Sequence, residues 1–352
     1  MHKPRIAITI GDPAGVGPEV VVGAWSDPRI HRACTPLAIG HPAWLREAVQ
    51  MLGLPHRVVE IGHPDEARPG SELIPCLPVG DDQVLGVQRA KVDSRGGQAA
   101  FDALERAAEL ALSGEVDAIT TAPLNKAALH AAGHKVPGHT ELLASFCGVE
   151  DVAMMLYLPP SDVIRGAAGL GVVHVTLHTA LREVSDMLTT DRIRKTIRLA
   201  DGVMHKLLSN HGKPRVGVCA FNPHAGEQGL FGHEEQQVIA PAVEAARADG
   251  IDVVGPAAAD TLMPAAAQGE FDVVVAMYHD QGHIALKLLD MHHAVNTTLG
   301  LPIIRTSVAH GTAFDLAWQG KAETSGMVSA IQVAAGLAAQ SSGLPLTPFA
   351  AS

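Results

Sequence analysis

The sequence predicts an α/β protein with a largely parallel sheet, and three observations carry that prediction. Apolar runs of strand length alternate with segments of helical spacing along most of the 352 residues. The runs are apolar throughout rather than alternating, as in strands covered on both faces. Three of them each end on a histidine: Val172 to His178, Arg215 to His224, and Phe271 to His279. In open α/β sheets ligands sit beyond the carboxyl ends of strands, so chemistry is expected there.

The first unit is a strand at Ile6 to Ile10, a turn from Gly11 to Gly17, and a helix whose first turn carries Pro18 and Glu19. Proline is favoured there by its fixed φ and glutamate by the helix dipole. The turn joins a strand to a helix start, but its glycine spacing fits neither the dinucleotide fingerprint nor the Walker A pattern, so it reads as a tight βα turn. Gln98 to Leu112 has helical spacing and leads to a strand at Ala118 to Thr121, which Pro123 ends. Further helices are expected at Thr189 to Leu208, Glu234 to Ala248, and the Ala-rich Glu323 to Ala339. Gly138-His139-Thr140-Glu141 follows a Gly- and Pro-bearing loop and is expected to open a helix, with Thr140 as cap or as ligand-binding group. His310 to Asp315 reads as a turn between a strand at Ile303 to Val308 and a helix. With no repeat or low-complexity linker, domain boundaries fall in ordinary loops. The expected division is 1–135 with 306–352, and 136–305.

Composition sets the broad class. The length is ample for two domains, and no stretch is apolar for long enough to span a bilayer. The start runs into a strand without a signal-peptide core, so the default expectation is a cytoplasmic protein. Cys34, Cys76, Cys147 and Cys219 are scattered and form no C-x-x-C pair, which supports neither a disulfide framework nor a zinc ribbon. A formal net charge of −11 without a long basic run argues against nucleic acid and anionic membranes as partners. An anionic substrate must then be met by local cations.

The strand-end histidines point to a metal. Any one of 19 histidines is by default structural, but His178, His224 and His279 at equivalent strand ends suit one divalent ion with an open position. His174 lies deeper on the same strand face as His178 and reads as a hydrogen-bonded core residue. Lys287, Asn296 and Arg305 punctuate an otherwise largely apolar segment. Arginine as a fork and lysine as a point charge suit a phosphate or carboxylate.

Several ordered motifs together resemble the 4-hydroxythreonine-4-phosphate dehydrogenase family of vitamin B6 synthesis, across nearly the whole chain. They are Gly11-Asp12-Pro13-Ala14-Gly15-Val16-Gly17-Pro18-Glu19, Thr121-Ala122-Pro123-Leu124-Asn125-Lys126, Gly138-His139-Thr140-Glu141, Asn222-Pro223-His224-Ala225-Gly226-Glu227, Tyr278-His279-Asp280-Gln281-Gly282, and Asn296-Thr297-Thr298-Leu299-Gly300-Leu301-Pro302. The resemblance implies an isopropylmalate/isocitrate-dehydrogenase-like fold, two α/β domains around a central cleft, in a homodimer whose active sites are shared. It implies His178, His224 and His279 as metal ligands, and His139, Thr140, Lys287, Asn296 and Arg305 as substrate contacts. Lys287 and Asp280 become the candidate catalytic groups. His310, Gly311, Thr312 and Ala313 resemble the H-G-S-A loop that holds the adenosine of NAD in isopropylmalate dehydrogenases.

The implied reaction is metal-dependent, NAD- or NADP-linked oxidation with decarboxylation of a 4-phosphorylated 3-hydroxy acid. Zinc suits neutral imidazoles, with magnesium, manganese, cobalt or nickel as alternatives. Two positions depart from the common pattern. Ala309 stands where D-H-G-T-A is usual, and His283 follows H-D-Q-G where leucine is usual. The latter resembles a second branch, acting on 4-phospho-D-threonate or 4-phospho-D-erythronate. The rival readings are a dehydrogenase of aromatic cis-dihydrodiol carboxylates, a metal-dependent hydrolase or lyase, and a metabolite-binding module without catalysis.

Overall fold

The structure, a computed structural model, describes residues 3–136, 138–208 and 212–341. Met1, His2 and the tail beyond 341, which fall in the expected first domain, lie outside them. The described residues form two compact units, one of 3–152 with 301–341, the other of 153–300.

In the first unit the strands are β1 (Arg5–Thr9), β2 (Thr35–Ile39), β3 (Arg57–Glu60), β4 (Leu73–Leu77), β5 (Ala118–Thr121) and β12 (Arg305–Val308). Their order is β3-β4-β2-β1-β5-β12, with every neighbouring pair parallel. Helices α1 (Gly17–Trp25), α2 (Pro28–Ala33), α3 (Pro42–Leu52), α4 (Ser94–Leu112), α5 (Lys126–Ala131), α6 (His139–Cys147) and α12 (Ser325–Ser341) accompany them. The central strands are buried along their length, as their continuous apolar runs require. Helix α12 is buried nearly all round and packs against β12, β5 and α2, which explains its Ala-rich, stripe-free sequence.

In the second unit β6 (Ala153–Leu158), β7 (Leu170–His174), β8 (Arg215–Cys219), β9 (Asp252–Ala257), β10 (Val273–Ala276) and β11 (Val295–Leu299) take the order β11-β6-β7-β10-β8-β9. The pairs β11/β6 and β6/β7 are antiparallel, and the others parallel. Its helices are α7 (Val184–Met187), α8 (Thr190–Leu208), α9 (Ala240–Ala248), α10 (Ala259–Ala267) and α11 (His279–Leu289).

Several sequence expectations are adjusted. The units change over at 152/153 and 300/301, where Gly and Pro punctuation suggests 135/136 and 305/306. Helix α6 and strand β12, with His139, Thr140 and Arg305, therefore belong to the first unit. The helix expected at Glu234 begins with a π-helical segment, Glu235–Ile239, and is α-helical only from Ala240. No helix follows Asp315; residues 309–324 are turns and irregular backbone until α12. Thr140 is no cap, because α6 starts at His139 with Gly138 in the cap position. Among the described residues no helix is long and apolar enough to cross a membrane. Cys34, Cys76 and Cys219 are buried thiols and Cys147 is half-buried.

The Gly11 to Gly17 turn is shaped by crossing chain. Gly11 has φ of 68°, and a Cβ there would collide with the Pro123 carbonyl oxygen. Beside it Asp12 is fully buried. One of its oxygens accepts the Ala14 N–H at 2.9 Å; the other, Oδ2, has no hydrogen-bond partner. Burial pushes this carboxyl up to about 6, against the pull of the Ala14 N–H and with a further push from Asp93.

Between about pH 4 and pH 6 the folded chain therefore holds a proton at Asp12 that the unfolded chain has released. Stability is expected to fall by about 3 kcal/mol, in order of magnitude, as pH rises through that window. Denaturant unfolding of wild type and Asp12→Asn across pH 4–7 tests this. The variant should lack that part of the decline, and parallel curves would refute the assignment.

Candidate functional site

The second unit carries the expected metal histidines. Strands β7, β10 and β8 are immediate parallel neighbours, with Ala276 opposite His174 and Val275 opposite Val218. Their carboxyl ends therefore lie side by side, and the chain beyond each supplies one candidate: His178 after β7, His224 after β8, and His279 as the first residue of α11.

Two of the three come together. The rings of His178 and His279 lie 5.8 Å apart between centroids. His279 Nδ1 is 2.7 Å from Asp280 Oδ1; a carboxylate accepts, so Nδ1 carries the proton and Nε2 is left as a donor atom for a metal. Asp280 thus sits on His279. His224 does not join them: its side chain is 68% exposed, beside Glu227 and against Phe231. Among the described residues, no three His, Cys, Asp or Glu groups of one chain gather as metal ligands.

His224 sits in a loop of left-handed backbone. His224 to Gln228 all have positive φ, at 52, 53, 76, 44 and 58°. This left-handed path costs on the order of 1–2 kcal/mol per non-glycine residue, so it needs support. Glu235 supplies it. Only 3% exposed, it accepts the N–H groups of Phe221 at 2.9 Å and Asn222 at 2.7 Å, and the Asn222 side-chain amide at 3.1 Å.

Helix α11 presents a row of groups at four-residue spacing: His279, His283 and Lys287. His283 stacks on His279 with centroids 3.8 Å apart and planes 11° apart. His174 Nδ1 faces the Met154 carbonyl at 3.3 Å, and its Nε2 faces His283 Nδ1 at 3.1 Å. A carbonyl only accepts, so His174 donates from Nδ1, receives at Nε2, and obliges His283 to donate from Nδ1. His283 Nε2 is then an acceptor. Both rings are held neutral. Burial pushes His174 down to about 4, with neighbouring histidines adding to the push; burial, then His174, His279, Lys287 and His178, push His283 down to about 3. On β11, Asn296 Oδ1 is buried without a hydrogen-bond partner, as a group awaiting a ligand would be.

The first unit gathers cations. Arg305 on β12 is 1% exposed, and its guanidinium donates to Thr121 Oγ1 at 2.7 Å. Burial pulls it down to about 9, against the favourable field of Glu141. His139, at the start of α6, is pushed well below the usual histidine range by burial, then by Arg305 and Lys126, while a backbone hydrogen bond at Ala122 opposes this. Lys126, at the start of α5, approaches the backbone at Gly138. Thr140 follows in the first turn of α6. A buried guanidinium, an ammonium and a neutral imidazole together suit a phosphate.

In the expected cofactor loop His310 and Gly311 are exposed, Thr312 is 7% exposed, and Ala313 has φ of 42°. Val16 N–H donates to the Thr312 carbonyl at 3.0 Å, tying this loop to the glycine turn.

Sequence reasoning assigned no role to Lys126, Glu235 or Gln281. Gln281 accepts the Met277 N–H at 2.7 Å and donates to the Ala220 carbonyl at 2.7 Å, joining the ends of β10 and β8. Lys126 and Gln281 stand inside motifs already singled out. Glu235 stands outside every motif, with only its place in an amphipathic run to mark it.

A family model described as the pyridoxal phosphate biosynthetic protein PdxA matches residues 32–334. The chain is 46% identical over 341 residues to the 4-hydroxythreonine-4-phosphate dehydrogenase of Trichlorobacter lovleyi, covering 96% of this chain and 98% of that protein. It is 46% identical over 340 residues to the D-threonate 4-phosphate dehydrogenase of Cupriavidus necator, with coverage of 96% and 98%. A crystal structure of 4-hydroxythreonine-4-phosphate dehydrogenase from Klebsiella pneumoniae superposes with a TM-score of 0.82 at 43% identity, over 95% of this chain and 99% of that one.

Proposed function

The chain belongs to the PdxA family of pyridoxal phosphate biosynthetic proteins, and on that footing we propose that it oxidises the CH–OH group of a four-carbon, 4-phosphorylated 3-hydroxy acid. The first reading of the substrate is 4-hydroxythreonine 4-phosphate, with NAD or NADP as hydride acceptor. The observation that carries it is the pairing of His178 with an Asp280-oriented His279 at adjacent strand ends, in a chain so similar to named dehydrogenases.

In this reading Arg305 and Lys126 bind the phosphate, with His139 and Thr140 beside them, and the buried Asn296 Oδ1 accepts a hydrogen bond from the substrate. His178, His224 and His279 would hold a divalent metal, zinc by the chemistry of three neutral imidazoles, and it would supply Lewis-acid polarisation of the substrate's oxygens. Lys287, on the helix face that carries His279 and His283, takes the hydroxyl proton; His310 to Ala313 would hold the adenosine end of NAD or NADP, whose nicotinamide would supply the acceptor for the C3 hydride. The C1–C2 bond of the resulting β-keto acid then breaks, carbon dioxide leaves, and the electron pair left on C2 takes a proton. Asp280 acts through His279, fixing its tautomer.

A second copy of the chain completes this site. His178 and His279 lack a third ligand within one chain among the described residues, α11 exposes Ile284 and Leu288, and Met291 is exposed just after its end. Exposed apolar residues on the helix that begins with a metal ligand suit burial against a partner, so the proposed form is a homodimer.

A second substrate, D-threonate 4-phosphate, is supported by the similarity to D-threonate 4-phosphate dehydrogenase and by His283 at the position where leucine is more usual; in that reading His283 Nε2 accepts from the C2 hydroxyl.

Purified protein is expected to reduce NAD or NADP with one of these phosphorylated acids, to lose activity on removal of divalent ions, and to regain it with zinc. The ratio of kcat/KM for the two acids decides between them. Activity in metal-free protein, or none with either acid, refutes the reading.

Arg305→Ala is expected to raise KM for the phosphorylated acid roughly ten- to a hundredfold, the effect of losing one charge-assisted bond of about 1.5–3 kcal/mol. The dephosphorylated analogue should be little affected. Equal losses for both compounds would place Arg305 elsewhere.

For the shared site, inactive His224→Ala and His279→Ala chains are co-expressed and the mixed dimers isolated. Partial recovery of activity is expected, because one site of each mixed dimer then joins an intact His178–His279 pair to an intact His224 of the other copy. Intact mixed dimers that stay inactive would refute completion of the site by a second copy's His224.

A further inference from the structure

The 309–324 segment has little regular structure to hold it, yet it is tied at five points to the turn that starts α1. Glu19, in the first turn of α1 and 1% exposed, accepts two main-chain N–H groups from this segment: Oε2 from Trp318 at 2.5 Å and Oε1 from Gly320 at 2.9 Å. The Trp318 indole N–H donates to the Pro13 carbonyl at 2.8 Å. Val16 N–H donates to the Thr312 carbonyl at 3.0 Å, and Gly15 lies so close to Thr312 that an added Cβ would stand 2.7 Å from the threonine Cβ.

The conformations held this way are costly. Ala313 and Trp318 have φ of 42° and 61°, in the region L-residues avoid, and Leu316 and Ala317 N–H both turn back onto the Ala313 carbonyl. Such backbone persists only where its surroundings over-determine it. Burying a carboxylate is itself unfavourable unless several donors meet it, and here the donors are the loop's own amides. The Trp318 ring is further fixed between Trp44, 5.3 Å away between centroids, and the Arg89 guanidinium, 4.5 Å from the ring centre.

We propose that Glu19, with Trp318 as its anchor, is a positioning residue for the nicotinamide cofactor: it sets the backbone of residues 310–313 into binding shape from behind, without touching the cofactor. The inference rests on the assignment of that loop to NAD or NADP. The 309–324 segment is then a preformed bracket, and the entropy of ordering it is met on folding rather than on cofactor binding.

The test measures cofactor affinity by calorimetry without substrate, together with amide hydrogen exchange. In wild type the Trp318 and Gly320 amides should exchange slowly. In Glu19→Gln, where a side-chain NH2 must face one of the two amides, both should exchange faster. Cofactor Kd should rise about tenfold or more, and in turnover the loss should fall on the cofactor KM more than on kcat. Trp318→Phe, which removes the indole bond to Pro13 and trims the ring packed on Trp44 and Arg89 but keeps both amides on Glu19, should show a smaller rise and keeps the question open to test if Glu19→Gln does not fold. Freed amides with unchanged cofactor Kd in either variant would overturn the positioning role while leaving the dehydrogenase reading intact. A wild-type protein that binds neither NAD nor NADP would instead remove the cofactor assignment, and this proposal with it.

Discussion

The parallel adjacency of β7, β10 and β8 is the constraint on which the candidate chemistry depends. Parallel neighbours run their carboxyl ends to the same edge, so residues that are 46 and 55 positions apart in sequence, His178, His224 and His279, emerge from three consecutive strands. Gln281 then locks two of those ends together through one side chain, accepting from Met277 after β10 and donating to Ala220 after β8. Loss of that register would move every donor atom. The buried valines of these strands are therefore as much a part of the site as the histidines, because they fix which residues reach the edge.

Loops with costly backbone follow from placing function beyond strand ends, and the chain uses the same physical device twice to hold them. Glu19 and Glu235, 1% and 3% exposed, each accept two main-chain N–H groups from a segment that is in or next to left-handed backbone. A carboxylate has enough lone pairs to serve two amides at once and is rigid enough to fix their spacing. Asp12 is the instructive contrast. It receives one amide and leaves its second oxygen without a partner, and its carboxyl is pushed up to about 6 by burial. A buried acid becomes a brace when its oxygens are filled, and becomes a proton holder when they are not.

The sequence made much of this visible because apolar runs and strand-end residues are local signals. The α/β alternation, the tight glycine turn and the hydrogen-bonded core role of His174 are all legible from residues near one another in the chain. Lys126, Gln281 and Glu235 owe their roles to partners brought in by the fold, and nothing in their own neighbourhoods announces those partners. Unit boundaries are hard for the same reason. The loop around Gly133 has the composition of a linker, yet α6 packs on α4 and stays with the first unit, taking His139 with it. The left-handed path at His224 is equally hidden, since Pro223-His224-Ala225-Gly226 offers one glycine for five residues of positive φ.

His283 and His174 must be read as one unit. The Met154 carbonyl obliges His174 to donate from Nδ1, which leaves its Nε2 buried and in need of a donor; His283 is that donor. With leucine at 283 the His174 Nε2 would face an apolar side chain, a loss of about 1–3 kcal/mol for an unsatisfied buried group. The pair is consequently stable only as a pair, and it delivers an acceptor nitrogen, stacked on His279, to the face of α11 that also carries Lys287. The difference between this chain and one with leucine is thus larger than a single residue. It comprises a two-histidine hydrogen-bond chain running from β6 to α11, and a polar group, His283 Nε2, that only a hydrogen-bond donor or a metal ion can satisfy.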